Sequence, residues 1–449
     1  MDYQQTLDYI YSFANFETRP AGQQTPADYT LHRIRALLAR LGNPQDQYPT
    51  VHIAGTKGKG STAAMLTSIL AAAGYRAGLY TSPHLHTYRE RIRVDGRLIS
   101  EEEVIHWIEN HRGLLDTLEG LTTFEVTTAM GFDTFAREVV DIAVIEVGLG
   151  GRLDTTNVIT PVLSVITPVS LDHTEILGDT ITQIAREKAG ILKPGVPAVV
   201  APQSAEAMSV IERVAGDLGA ELIAVGRDWS YSLTNMNPDG QSIEVRGPND
   251  EILSLRMPLL GAHEAVNATA AIAAAHQLPT PSFPVDAAAI ASGVAEVEWP
   301  ARTELLSRRP WIMVDGAHNG ASARCLLDTV DNLLGRRRIT LVLGASTDKR
   351  INAMLEILLP ATHKLVVTRA DHPRAAQPAV LQEMARQYGR HADVSQTVAE
   401  AVMSSVENAA EDDLILVAGS LFVAAEARMA WFQHVGRPLP PCDPPKSTA

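Results

Sequence analysis

Residues 51–62 read VHIAGTKGKGST, a β-branched run, a turn holding three glycines and two lysines, and the start of a helix-forming stretch. Gly55, Gly58 and Gly60 permit positive φ and close backbone approach to an anion. The helix that follows points its first amides and the positive end of its dipole at the same place. Lys59 can neutralise β- and γ-phosphate charge, and Ser61 or Thr62 can donate a hydroxyl. The usual P-loop spacing is broken, because Ile53 stands where its first glycine belongs and Gly60 separates Lys59 from the hydroxyl. The rival reading is a solvated turn with two incidental lysines. A strand before and a helix after favour a phosphate cradle.

Such a cradle needs magnesium, which takes oxygen ligands and keeps several waters. Glu146 closes the run DIAVIEVG just before the turn GLGGR, the edge where ligands collect in α/β sheets. Ser82, after AGLY, and His173, in SLDHTEILG, follow other apolar runs. Taken singly, a histidine near a loop is more often a hydrogen-bonded surface residue, and an acid at a strand end is more often a cap. Lys188, in IAREKAGILKPG, reads alone as a helix-end lysine favoured by the dipole.

The elements that must position these residues are short apolar strands alternating with helices. VHIAG, DIAVIEVG, VLSVITPV and PAVVA are nearly unbroken apolar runs, as in strands buried on both faces of a parallel sheet. Residues 228–258 alternate polar and apolar residues around the turns NPDG and GPND, the pattern of a small antiparallel sheet. An alanine-rich helix over 263–276 and the Pro-rich segment LPTPSFPVD follow. WIMVDGAHN, ITLVLGAS, KLVVTRA and DLILVAGS then start a second strand–helix series with room for a doubly wound domain. The expected division is an ATP-binding domain over 1–297, a smaller Rossmann-like domain over 298–435, and a disordered Pro-rich tail over 436–449.

Length and charge narrow the class. A chain of 449 residues is too long for one core. Its net charge of −14 argues against nucleic acid or an acidic membrane as main partner. Cys325 and Cys442 stand far apart with no ligand-like cluster, which fits a reducing cytoplasm. The N-terminus MDYQQTLDYIYSFANFE lacks a basic apolar leader, so no signal peptide is expected. No run of about 18 apolar residues is present to span a membrane.

The ordered set GTKGKGS, TSPHL, TTFE, EVGLGGRLDTTN, SLDHTEILG, IAREKAGILKPG, GAHEAVNATAA, WPARTE, VDGAHN, GASTDK and AGSLFVAAEAR resembles the folylpolyglutamate synthase/dihydrofolate synthase family of Mur-ligase-like ATP-dependent amide ligases. The resemblance runs in order from about residue 7 to 430. It implies that Gly58, Lys59, Gly60 and Ser61 hold the ATP phosphates. Ser82, Glu146 and His173 would ligate magnesium, and Lys188 would be carbamylated to bind a second ion. Asn267, Arg302 and Asp315 would touch nucleotide, and His318 the phosphates or the incoming amino acid. Thr122, Thr123, Phe124, Glu125, Leu153, Asp154 and Thr155 would hold the pteroate part of the substrate.

The implied partners are dihydropteroate or tetrahydrofolate and L-glutamate, with a monomer as the family expectation. Three departures stand out: Lys57 where Asn is commoner, Glu264 where Gln or Asn is usual, and Ala301 in place of the glycine of WPGR. Glu264 beside a triphosphate would be repulsive unless it points away. Alternatives are a Mur-type ligase acting on another carboxylate and a non-ligase P-loop protein. A cell-wall ligase normally carries a further N-terminal domain, for which the space before residue 55 leaves no room.

Overall fold

The computed structural model describes residues 1–15, 29–248, 251–279, 282–347 and 351–444. Parts of four expected features lie outside them: the turn at 247–250, the Pro-rich segment, the end of GASTDK, and the tail beyond 444. The first sheet has eight strands: β1 Thr50–Ala54, β2 Ala77–Tyr80, β3 Ile92–Val94, β4 Arg97–Leu98, β5 Ile142–Glu146, β6 Leu163–Ile166, β7 Ala198–Val200 and β8 Leu222–Ala224. Their order is β4-β3-β2-β5-β1-β6-β7-β8. The pairs β2–β5, β5–β1, β1–β6, β6–β7 and β7–β8 are parallel, whereas β3 and β4 form an antiparallel edge.

Alternate residues of β5 serve two cores. Ile142 and Val144 pack, with Val51 and Ile53 of β1, against the helices Lys59–Ala72 and Ala262–Gln277. Ala143 and Ile145 face the helices Tyr3–Ser12, His32–Arg40, Glu101–Leu115 and Thr123–Arg137. Burial on both faces is why these strands show unbroken apolar runs rather than alternation.

The expected small sheet is antiparallel and three-stranded, β9 Ser230–Asn237, β10 Gly240–Arg246 and β11 Ile252–Met257. The second large sheet comprises β12 Glu304–Arg308, β13 Trp311–Val314, β14 Ile339–Leu343, β15 Thr362–Val367, β16 Ala392–Val394 and β17 Leu414–Ala418, in the order β12-β13-β17-β14-β15-β16. All its pairs are parallel except the edge hairpin β12–β13.

Residues 436–444 of the Pro-rich tail carry no helix or strand, and one of them is held by side-chain hydrogen bonds. Asp443 accepts hydrogen bonds from the Tyr3 and Thr87 hydroxyls at 3.0 and 2.7 Å and from the Tyr88 amide at 2.9 Å. Composition alone could not show this, because the anchor is one carboxylate meeting distant partners. Among the described residues no helix is long and apolar enough to cross a membrane.

The helix Ala287–Glu296 crosses the helix Lys59–Ala72 at very short range. A Cβ on Gly293 would lie 2.4 Å from Ile69 Cα, and the Ser68 hydroxyl donates to the Gly293 carbonyl at 2.7 Å. Gly293→Ala should therefore lower the free energy of urea unfolding by about 1–3 kcal/mol, the range for overpacking a tight contact. Gly113→Ala, in an exposed helical position with nothing near the added Cβ, should raise it by about 0.5–1 kcal/mol. Equal effects of the two changes in the same denaturation experiment would rule out the close crossing as the reason for glycine at 293.

Candidate active site

The glycine-rich loop connects β1 to the helix Lys59–Ala72, whose N-cap is Gly58 at φ 82°. A Cβ there would meet Asn267 Oδ1 at 2.2 Å, and one on Gly55 would meet Thr167 Oγ1 at 1.8 Å. Both glycines are thus required by close approach as well as by positive φ. Gly60 corrects the sequence reading: it lies within the helix, and its missing side chain makes room for the Trp299 ring, 2.9 Å from where a Cβ would sit.

Lys59 opens the helix, and its Nζ lies 3.9 Å from Glu146 Oε1 at the end of β5. The Ser82 amide, just past β2, donates to Glu146 Oε2 at 3.1 Å. Burial pushes the Glu146 carboxyl up, and the charge of Lys59 holds it back. Lys188 is also buried, with its Nζ donating to the Gly55 carbonyl at 2.8 Å. Desolvation and then the charge of Lys59 bring its pKa down to about 7, against the pull of Asp172.

Lys57 adds a third cation. Its Nζ reaches Asp172 Oδ2 at 3.1 Å and His318 Nε2 at 2.7 Å. His318 Nδ1 lies 2.8 Å from the Gly316 carbonyl. A carbonyl only accepts and an ammonium only donates, so both contacts hold when the ring is neutral with its proton on Nδ1. Asp172 and His173 sit on the loop after β6, and the His173 backbone is left-handed at φ 48°.

A cleft of about 910 Å³ opens beside this loop. It is lined by Ser82, His173, Arg302, His318 and the whole expected substrate set, Thr122–Glu125 and Leu153–Thr155. Ser346, Arg374 and Ser420, following β14, β15 and β17, line it from the other sheet. The carboxyl ends of both large sheets therefore face one cleft, the usual ligand edge of open α/β sheets.

Several expected binding residues have structural work of their own. Thr122 and Glu125 form a capping box on the helix Thr123–Arg137, and Thr123 Oγ1 donates to the Ile10 carbonyl at 3.1 Å. Asp154 accepts from the Leu149 amide at 2.8 Å and from Thr156, fixing the turn after β5. Asp315 accepts from the Thr303 amide and the Ala317 amide, each at 2.7 Å, and so folds the Arg302 segment onto the end of β13. Ala301 and Thr303 flank Arg302 at φ 58° and 46°. Glycine is the residue that adopts such backbone without cost, and Ala301 holds it under strain of the order of 1–3 kcal/mol.

The sequence reading missed three cations on the cleft wall: Arg33, Arg91 and Arg374. Arg33 Nε donates to both Glu125 oxygens at 3.1 Å, across 92 positions of sequence, and Arg91 Nε donates to His84 Nδ1 at 2.9 Å. Alignment of a lone arginine with so distant a carboxylate leaves no local signal. Among the described residues no three His, Cys, Asp or Glu side chains cluster as a ready-made metal cage.

Residues 53–275 match the family described as the Mur ligase middle domain, and residues 301–421 match the Mur ligase glutamate ligase domain. A folylpolyglutamate synthase of Lacticaseibacillus casei is 35% identical, covering 95% of this chain and 98% of that one. A dihydrofolate synthase/folylpolyglutamate synthase of Bacillus subtilis is 33% identical with the same coverage. The chain spans about half the length of two haloarchaeal relatives named "Probable bifunctional folylpolyglutamate synthase/dihydropteroate synthase", at 51% and 52%. The crystal structure of Mycobacterium tuberculosis folylpolyglutamate synthase complexed with ADP and AMPPCP superposes with a TM-score of 0.86 at 32% identity, over 96% of this chain and 98% of that one. On this similarity, running in sequence and in three dimensions over nearly the whole chain, it belongs to the folylpolyglutamate synthase/dihydrofolate synthase family of Mur-type ligases.

Proposed function

We propose that the chain is an ATP-dependent ligase that joins L-glutamate to a folate-type carboxylate through an acyl phosphate. The acceptor is the benzoate of dihydropteroate, the terminal carboxylate of tetrahydrofolate, or each in turn. The observation that carries this reading is the opening of the carboxyl ends of both sheets onto one cleft, two of whose lining residues, Asp172 and His318, are bridged by Lys57 of the glycine-rich loop. Support also comes from relatives named for this activity and from a related structure described as an AMPPCP–folate complex.

Lys59 and the first amides of its helix hold the terminal phosphate in line with the substrate carboxylate, and positioning with charge neutralisation supplies most of the rate. Magnesium fits the donor set: the buried Glu146 carboxylate stands at the phosphate loop beside Ser82, with His173 on the neighbouring loop. A magnesium ion needs few protein ligands and takes the rest from phosphate and water. When bound, it neutralises the charge that develops on the phosphoryl oxygens.

Lys188 suits carbamylation. At a pKa of about 7, roughly half of its amine is neutral near pH 7, against about one molecule in a few thousand for an ordinary lysine. The neutral amine attacks CO₂, forms the N–C bond and loses a proton, turning a buried cation into an anion on the metal side of the loop.

The amine of L-glutamate must lose a proton before it attacks the acyl phosphate, and His318 provides the acceptor. Its Nε2 lone pair already faces an ammonium, that of Lys57, with Asp172 on the other side. An incoming amino acid brings the same group. Closure of the two sheets on the cleft keeps water from the acyl phosphate.

Three measurements test this reading. Phosphate release from ATP should require glutamate together with dihydropteroate or tetrahydrofolate, offered separately; release indifferent to all of them would leave only a nucleotide-binding protein. His318→Asn should still form acyl phosphate, trapped by hydroxylamine as a hydroxamate, while transfer to glutamate falls by about 100-fold or more, as for a lost general base. Equal loss of trapping and transfer would assign His318 to phosphate binding instead. Lys188→Ala should keep ADP affinity and lose turnover, and wild-type protein under ¹³CO₂ should show a carbamate carbon resonance that this variant lacks. Full turnover in the variant, or no such resonance in the wild type, would remove the carbamate.

A further inference from the structure

The loop that leaves β2 and ends in the short helical turn Tyr88–Arg91 meets the cleft at both ends, with Ser82 at one and Arg91 at the other. The Thr81 amide donates to the Arg91 carbonyl at 3.0 Å, so the two ends lie side by side. Two carboxylates organise what lies between. Glu90, from the loop itself, takes the Leu85 and His86 amides at 2.8 Å and the Thr87 amide at 3.1 Å. The next amide, of Tyr88, donates to Asp443 Oδ2 at 2.9 Å, and the Thr87 and Tyr3 hydroxyls donate to Oδ1. Asp443 also gives its own amide to the His86 carbonyl at 3.2 Å. A residue 355 positions away therefore completes an arrangement that the loop does not close alone.

The same carboxylate faces the ring that holds Arg91. His84 Nδ1 accepts from Arg91 Nε at 2.9 Å, which leaves the ring's proton on Nε2, 4.0 Å from Asp443 Oδ2. A negative charge at that position favours the tautomer that receives Arg91. The tip of the loop, by contrast, belongs to the second large sheet. Leu85 packs on the core that includes Leu306, Ile312 and Val314, and Arg428 Nη1 lies 3.2 Å from His86 Nε2. Asp443 and Arg428 come from the same part of the chain, the helix Leu421–His434 and the segment after it. The tip is thus gripped by one sheet while Ser82, bonded to Glu146, stays on the other.

We infer that Asp443 is a positioning residue for the cleft: it fixes the loop 81–91, and through it the places of Ser82 and Arg91, against the second sheet. This rests on the ligase reading above, which seats the acceptor in that cleft. A segment whose Pro-rich composition reads as a passive tail becomes a working part of the site.

Two measurements on the full chain test it. In amide hydrogen exchange without ligands, Asp443→Ala should speed exchange over residues 84–91 by about tenfold or more, as for loss of a hydrogen bond to a charged group. Exchange in β1 and in the helix Lys59–Ala72 should stay unchanged. In ligase turnover at varied acceptor concentration, the same variant should raise the acceptor KM by about tenfold, well within the loss that a displacement of about 1 Å causes. Partial unfolding would instead lower kcat and leave KM unaltered. Thr87→Val removes one donor to the same carboxylate and leaves the tail in place. It should raise KM in the same direction, and the double variant should be no worse than Asp443→Ala alone. Unaltered exchange over 84–91 would overturn the tie itself. Faster exchange with an unaltered acceptor KM, or additive effects in the double variant, would overturn the positioning role and leave the ligase reading standing. No wild-type turnover with any acceptor would overturn that reading and the positioning role with it.

Discussion

Three lysines on or against one glycine turn are the electrostatic constraint around which the first domain is arranged. Lys57 and Lys59 belong to the turn itself, and Lys188 is buried against the Gly55 carbonyl. Their mutual repulsion shows in Lys188, whose proton is loosened first by desolvation and then by the neighbouring charges of Lys59 and Lys57. Such a group is stable only with anions interleaved. Glu146 answers Lys59, Asp172 answers Lys57, and Lys188 gives up charge instead. On the proposed function, a polyphosphate entering this group of cations would gain the attraction that the protein's own carboxylates supply only in part.

The parallel sheet turns that constraint into a site. β1, β5 and β6 are adjacent, so the turn, Glu146 and the Asp172–His173 loop leave the sheet side by side at one edge. β2 brings Ser82 to the same edge through its pairing with β5. Strands buried on both faces cannot shift register without exposing apolar residues, and the spacing of the charged groups inherits that rigidity. The helix following the turn is fixed just as firmly, by the close crossing at Gly293 and by Trp299 over Gly60.

How much of this the sequence displayed depends on how local each signal was. Glu146 and Ser82 stood out because each ends an apolar run, and the three-stranded sheet because its residues alternate around turns. The short strands β3, β4, β12 and β16, of two to five residues, carry too few positions to show a period. Arg33 gave no sign of its pairing with Glu125, since the two meet only after the helices His32–Arg40 and Thr123–Arg137 have packed. Glu264 stood out as an unexplained charge for the same reason: the Ser61 hydroxyl that donates to it is brought there by the fold and not by neighbouring residues. His52 is a comparable case on β1. It is fully buried with its Nε2 against the Thr156 hydroxyl, and burial drives its pKa down to about 3, so it is a neutral strut behind the Asp154 turn, a role no local pattern displays.

The two sheets touch in ways that differ in kind. Away from the cleft, Asp443 ties the chain end to Tyr3, Thr87 and Tyr88, and Arg428 binds Glu304 while reaching His86. None of their members belongs to the glycine-rich loop. At the cleft wall, the contact runs through Lys57, shared between the lining residues Asp172 and His318. A phosphate arriving at the loop competes for that same ammonium. On the proposed function, a phosphate drawing Lys57 to itself would loosen that link and uncover His318 Nε2.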